Sequence, residues 1–114
     1  MNNLNNYFNE TRFAVTVCDT DCKILFMNEK AMSVFSKSGG SDLIGKNLLD
    51  CHPEKAGQKI KEMLETKIPN AYTIEKNGVK KLIYQAPWFE NGEFSGLIEL
   101  SIELPEQMPH FVRK

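Results

Sequence analysis

Hydrophobic positions change period several times along the chain, and each change marks an element. In an Asn-rich opening, Leu4, Tyr7 and Phe8 stand at helical spacing, which predicts a short amphipathic helix able to cover a sheet face or a partner. From Arg12 the pattern becomes β-like. Phe13-Ala-Val-Thr-Val-Cys18 and Cys22-Lys-Ile-Leu-Phe-Met27 are apolar and β-branched, and Asp19-Thr20-Asp21 between them supplies turn chemistry, so the pair predicts a β-hairpin. Asn28 then occupies an N-cap position before a helix whose Ala31, Val34 and Phe35 share a face, with Met32 at its margin. Gly39-Gly40 lies in the loop that ends this helix, and residues 42–52 read as short helical turns. Pro53 suits the first position of a longer helix, which buries Ala56, Ile60, Met63 and Leu64 and stops before Pro69.

The last third predicts a three-stranded meander, because Asn77-Gly78 and Asn91-Gly92 are both two-residue hairpin signals. Ile98, Leu100 and Ile102 alternate with Glu99, Ser101 and Glu103, which assigns the apolar set to the core and the polar set to water. The preceding strand is ambiguous. Leu82, Tyr84, Ala86 and Trp88 are apolar at one parity, and Ile83 and Phe89 at the other, so one set faces away from the core. The element order is helix, two strands, about three helices, three strands. It predicts an α+β domain: a five-stranded antiparallel sheet with helices on one face.

Composition narrows the function classes. At 114 residues there is room for one domain, and no room is expected for an attached kinase or DNA-binding unit. Fourteen Lys plus Arg against 15 Asp plus Glu leave a net charge of −1, without the basic excess that duplex binding requires, so no nucleic-acid partner is expected. The apolar runs are far shorter than the roughly 20 residues of a membrane span, and the first residues lack a secretory pattern; a cytoplasmic protein with no membrane partner is expected. The three cysteines, Cys18, Cys22 and Cys51, are an odd number at spacings unlike a zinc or redox motif. Free, packed thiols and no structural metal follow.

This order of elements resembles a PAS domain. The likeness is carried by Phe13-Ala-Val-Thr-Val-Cys-Asp19, Lys23-Ile-Leu-Phe-Met-Asn28 with Ala31 in the next helix, Leu43-Ile-Gly45-Lys-Asn-Leu48, the helix from Pro53, and the two Asn-Gly hairpins. It covers residues 12–104, leaving 1–11 as a helical cap or dimerisation segment and 105–114 as a tail. Leu48-Leu-Asp-Cys-His-Pro53, with Met108-Pro-His-Phe111, is similar to a narrower bacterial subgroup of sensor PAS domains found beside a domain of unknown function. The resemblance implies a pocket between sheet and helices, and a dimer formed through the outer sheet face and the N-terminal helix.

Several residues are candidates for chemistry. From the inward pattern, Phe26, Met32, Phe35, Leu48, His52, Ile60, Leu64 and Tyr84 are expected to line a ligand pocket. Leu4, Tyr7, Phe8, Ile83 and Phe89 are expected at a dimer interface. His52, an imidazole at a helix start, would serve as a haem ligand, a capping group or a hydrogen-bonding group inside a turn. Cys51 beside it is a redox candidate, since a helix N-terminus favours thiolate. Flavin photochemistry is disfavoured, because the light-sensing subgroup needs an Asn-Cys-Arg-Phe-Leu-like segment and this chain has Asp50-Cys51-His52-Pro53. Tyr72, Tyr84 and Trp88 would stack on a planar ligand or fill core and interface, and Met27, Met32 and Met63 would line a soft pocket or fill the core. The carboxylate pairs Asp19–Asp21 and Glu99–Glu103 are explained by a turn and a solvated strand face. Neither a phosphate loop nor a nucleophile elbow is present.

A stand-alone cytoplasmic sensor or interaction module, homodimeric and without catalytic activity, is therefore expected, signalling to a separate protein. Its ligand or cofactor is unspecified. A ligand-free dimerisation module and a small enzyme of similar shape are the other readings.

Overall fold

The computed structural model describes residues 3–114; the side chains of residues 3–5 and of Cys51 lie outside the described residues, and with them the expectations for Leu4 and Cys51. The elements are α1 (Asn3–Asn9), β1 (Ala14–Cys18), β2 (Ile24–Met27), α2 (Glu29–Val34), three short 3-10 turns (Ser36–Ser38, Gly40–Leu43, Leu48–Cys51), α3 (Glu54–Thr66), β3 (Asn70–Lys76), β4 (Val79–Glu90) and β5 (Glu93–Glu103). The strands form one antiparallel sheet in the order β2-β1-β5-β4-β3. The five-stranded α+β architecture read from the sequence is the one observed.

Local chemistry explains the boundaries. Both Asn-Gly turns place two successive residues at positive φ, Asn77 (53°) with Gly78 (78°) and Asn91 (52°) with Gly92 (82°), as a type I′ turn requires. The Asp19 carboxylate accepts from the backbone amides of Asp21 and Lys23, which closes the first hairpin. Helix α3 begins one residue later than expected: Pro53 is extended (ψ 158°) and acts as its N-cap without a side-chain bond. The helix ends on Lys67 in the left-handed region, two residues before Pro69.

Asn28 does more than cap. Fully buried, it accepts through Oδ1 from Val15 N and Ala31 N, and donates through Nδ2 to Phe8 O, Thr11 Oγ1 and Phe13 O. One side chain thus joins the end of α1, the start of β1 and the first turn of α2.

The core lies between the sheet and the helices: Ala14, Cys18, Cys22, Ile24, Met27, Ala31, Leu43, Leu48, Ile60, Met63 and Leu97. Directly paired residues share a face of an antiparallel sheet, so register tells which side chains accompany Leu97. Ile24, Cys18, Leu97 and Pro87 form one inward row, and Met27, Thr16, Glu99, Gln85 and Asn70 form the next, across all five strands. The expected alternation of β5 is therefore reversed. Ile98, Leu100 and Ile102 point outward and Glu99 points in, 8% exposed.

The physical cause is a β-bulge. The register between β4 and β5 shifts between Trp88 and Phe89, where Phe89 pairs with Phe94 but Trp88 with Gly96, leaving Ser95 as the extra residue. Just past it, Gly96 (φ 146°) lies against β1 so closely that a Cβ there would overlap the Cys18 carbonyl oxygen. The bare glycine also leaves a gap on the outer face, across which Trp88 Nε1 donates to that same oxygen at 3.0 Å.

Two substitutions test this account. Gly96→Ala should destabilise by roughly 3 kcal/mol or more, because a side chain must both adopt a disfavoured φ and displace a neighbouring strand. Asn28→Ala should cost about 3 kcal/mol, from a lost cap and stranded buried partners. Both are read from urea unfolding midpoints at unchanged m-value; a loss below about 1 kcal/mol in either would contradict the corresponding contact.

Candidate functional site

The middle inward row of the sheet carries polar groups where an apolar core is expected. Asn70 Nδ2 donates to Gln85 Oε1 (3.0 Å), and Gln85 Nε2 donates to Glu99 Oε2 (2.6 Å). From the helix side His52 completes the chain, its Nε2 lying 3.1 Å from the same Glu99 oxygen. The side chains of His52 and Glu99 are only 8% and 9% exposed. Gln85 is 3% exposed.

His52 is placed by the turn before α3. Asn47 caps that turn by accepting from Leu49 N, the His52 amide bonds Leu49 O, and the imidazole folds back so that Nδ1 lies 3.0 Å from Leu48 O. Thus His52 hydrogen-bonds inside a turn, as one sequence reading had it, and does not cap α3. Phe35, at the C-cap of α2, packs its ring 6.0 Å from the imidazole, tilted by 50°. Tyr72 sits on the same inward face; desolvation, and secondarily the Glu99 charge, raise its hydroxyl pKa above the ordinary value.

The proposed pocket residues do not all meet here. Leu48 and Ile60 are buried in the core, with Met32, Phe35 and Leu64 packed partly buried against it. Phe26 and Tyr84 are corrections: Phe26 pairs with Val17 and Tyr84 with Leu100, which puts both on the outer face. The expected interface shows the complementary correction. Ile83, paired with Ser101, is 7% exposed on the inner face, and Phe89 pairs with Phe94 at 6.1 Å between ring centroids rather than joining the outer set. Outward go Leu82, Tyr84, Ala86 and Trp88, beside Ile98, Leu100 and Ile102. Tyr7 and Phe8 are exposed. Met27 and Met63 are core residues.

Glu99 and Gln85 were missed. Glu99 was assigned to a solvated face, and only a register that includes the bulge sets it opposite Gln85. The haem role is not supported by the residues present, because both imidazole nitrogens of His52 are already engaged in hydrogen bonds within the domain, Nδ1 with Leu48 O and Nε2 with Glu99. Among the described residues no cluster of three metal-ligating side chains occurs, and no helix is long and apolar enough to cross a membrane.

Cys18 and Cys22 are buried free thiols. Burial pushes the Cys18 thiol up to about 12, and that of Cys22 also upward. In the unfolded chain such a thiol titrates near 9. The native state therefore keeps its proton longer, and stability falls as pH rises from about 9 towards 12, while below 9 the contribution is complete. Cys18→Ala should flatten that alkaline loss by up to about one proton's worth in the slope of unfolding free energy against pH. An unchanged slope would show that the thiol is not desolvated.

A sequence profile described as PAS domain matches residues 12–85 of the chain. Among solved structures, the PAS domain of histidine kinase ThkA superposes with a TM-score of 0.66 at 20% identity, covering 79% of this chain and 97% of that one. A sensory box sensor histidine kinase from Vibrio cholerae gives 0.64 at 19% identity and covers 90% of both chains. The Aer2 receptor of Vibrio cholerae, described as a dual PAS-heme oxygen sensor, gives 0.62 at 15% identity, covering 82% of this chain and 95% of that one. No curated protein matches the sequence.

Proposed function

Since the chain belongs to the PAS domain family, we propose that it is a cytoplasmic sensor module that recognises a small polar ligand inside the domain and acts as a homodimer. The observation that carries this reading is the polar row, Asn70–Gln85–Glu99–His52, in the middle of an apolar core. Burying amide and charged groups costs free energy unless they are bonded. Such a row is retained at low cost where exchange of partners is useful. A ligand with amide-like donors and acceptors would take over bonds that these groups now make to one another. Phe35, Leu48 and Ile60 would supply its apolar walls.

Output would pass through the other face of the sheet. Leu82, Tyr84, Ala86, Trp88, Ile98, Leu100 and Ile102 form a nearly unbroken apolar surface there, and a second copy of the chain is the occupant whose patch matches it by two-fold symmetry. Ligand binding that favours one arrangement of the sheet shifts the dimer between states, and a separate signalling protein reads the change. The reading includes no catalysis and no nucleic-acid or membrane partner. It also places the chain in the bacterial subgroup marked by Leu48-Leu-Asp-Cys-His-Pro53.

One observation favours the ligand-free dimerisation module instead: among the described residues every buried side-chain nitrogen and oxygen already has a partner. An absorption spectrum and native mass spectrometry on one fresh preparation separate the two. We expect a dimer carrying extra non-covalent mass, with neither a Soret nor a flavin band, and a monomer for Leu100→Glu. A dimer of bare polypeptide mass selects the ligand-free module. A monomeric wild-type chain rejects the outer-face assembly.

A further inference from the structure

Hydrogen-bond polarity around His52 determines how many protons the buried pair holds. Leu48 O can only accept, so Nδ1 must carry hydrogen. Gln85 presents its amide nitrogen to Glu99, because its oxygen is taken by Asn70. Glu99 Oε2 therefore receives one donor from Gln85 and faces Nε2 at 3.1 Å. With one oxygen between two nitrogens, the arrangement is satisfied by an ionised carboxylate and a doubly protonated imidazole. If the proton between Nε2 and Oε2 leaves, two lone pairs face each other across 3.1 Å at a buried position. Nothing else described at that oxygen takes its place.

The proton has a way out. A shallow cleft of about 200 Å³ on the helix side is lined by Leu49, His52, Pro53, Glu54, Gly57 and Lys61, so His52 borders solvent there although most of its side chain is covered. The other groups near the pair are accounted for by element. From β5 and β4 come Glu99 and Gln85, from β3 Tyr72, and from the end of α2 the uncharged Phe35. Across the cleft, α3 offers Glu54 and Lys61, one charge of each sign.

The linkage is also mechanical. His52 belongs to the junction between the Leu48–Cys51 turn and α3, while Glu99 is on β5, at the centre of the sheet. We propose that the His52–Glu99 pair is a proton-operated latch: it holds the α3 junction against the sheet while protonated, and it frees the junction when cleft water takes the proton. The balance is one proton, passed from Nε2 to water; no bond to carbon changes. Deprotonation leaves a neutral imidazole, which turns into the cleft, and a carboxylate held by Gln85. The sign follows: the latch contributes stability at low pH and loses it as pH rises through the titration of the pair. This inference stands whether or not the domain binds a ligand.

The chain's two histidines make the test direct. His110 lies in the exposed tail and serves as the internal reference, with His110→Gln used to assign the signals. In ¹³C- and ¹⁵N-resolved NMR titration of the full chain, His52 should keep both ring protons to a higher pH than His110. Protection factors of the amides across residues 48–57, with the base-catalysed intrinsic rate divided out, should fall through the His52 midpoint. Glu99→Gln should remove both effects. Should that variant fail to fold, His52→Gln keeps the test open, since its junction exchange should then show no step in the same pH range. A His52 midpoint at or below that of His110 overturns the proposal. So does a junction whose protection factors do not change through that midpoint.

Discussion

The close approach of β1 to Gly96 is the constraint on which the arrangement of both sheet faces rests. The Cys18 carbonyl occupies the volume that a side chain on residue 96 would need, so glycine at that point sets how β5 lies against β1. Because strand side chains alternate, a slip of one residue would exchange every inward group for an outward one. The core would receive Ile98 and Leu100 in place of Glu99, and the buried polar row would not exist. Trp88 reinforces the same contact from the outer face, its indole hydrogen-bonded to the oxygen that excludes a Cβ. Packing, hydrogen bonding and backbone freedom thus specify one register together.

That constraint also explains what could and could not be read from the residues. The hairpin turns, the Asn28 cap and the length of the crossover helix were legible, because each depends on neighbours within a few positions. Parity in β4 and β5 was not. Counting back from Asn91-Gly92 without a bulge sets Gln85 opposite Ile98, whereas the extra residue at Ser95 moves it opposite Glu99. Hydrophobicity then misled in a consistent direction, sending Ile83 and Phe89 outward, Tyr84 inward, and Glu99 to water. His52 stood out by residue type alone. Its partner could not, since a glutamate in an alternating strand ordinarily faces solvent.

The sheet emerges as a layer with two different tasks. Its inner surface mixes an apolar core with a central polar row, and its outer surface is apolar enough to invite another molecule. Asn28 ties these surfaces to the N-terminal helix, since it bonds to the end of α1, to β1 and to the start of α2 at once. A displacement of α2 cannot occur without strain at the end of α1. The chain therefore has a continuous physical route from the interior, through Phe35 and α2, to the end of α1.

The strand order has a kinetic corollary. Strands β3, β4 and β5 are joined by two-residue turns and can pair as soon as they are made, as can the hairpin of β1 and β2. The central seam between β1 and β5 is different, because Ala14 must find Ser101 from the opposite end of the chain. Loop-closure entropy has to be met before that seam gives anything back. Until it closes, the inward surface of the meander, Glu99 included, lies open to water, so the carboxylate is desolvated only in the step that brings the two ends of the domain together.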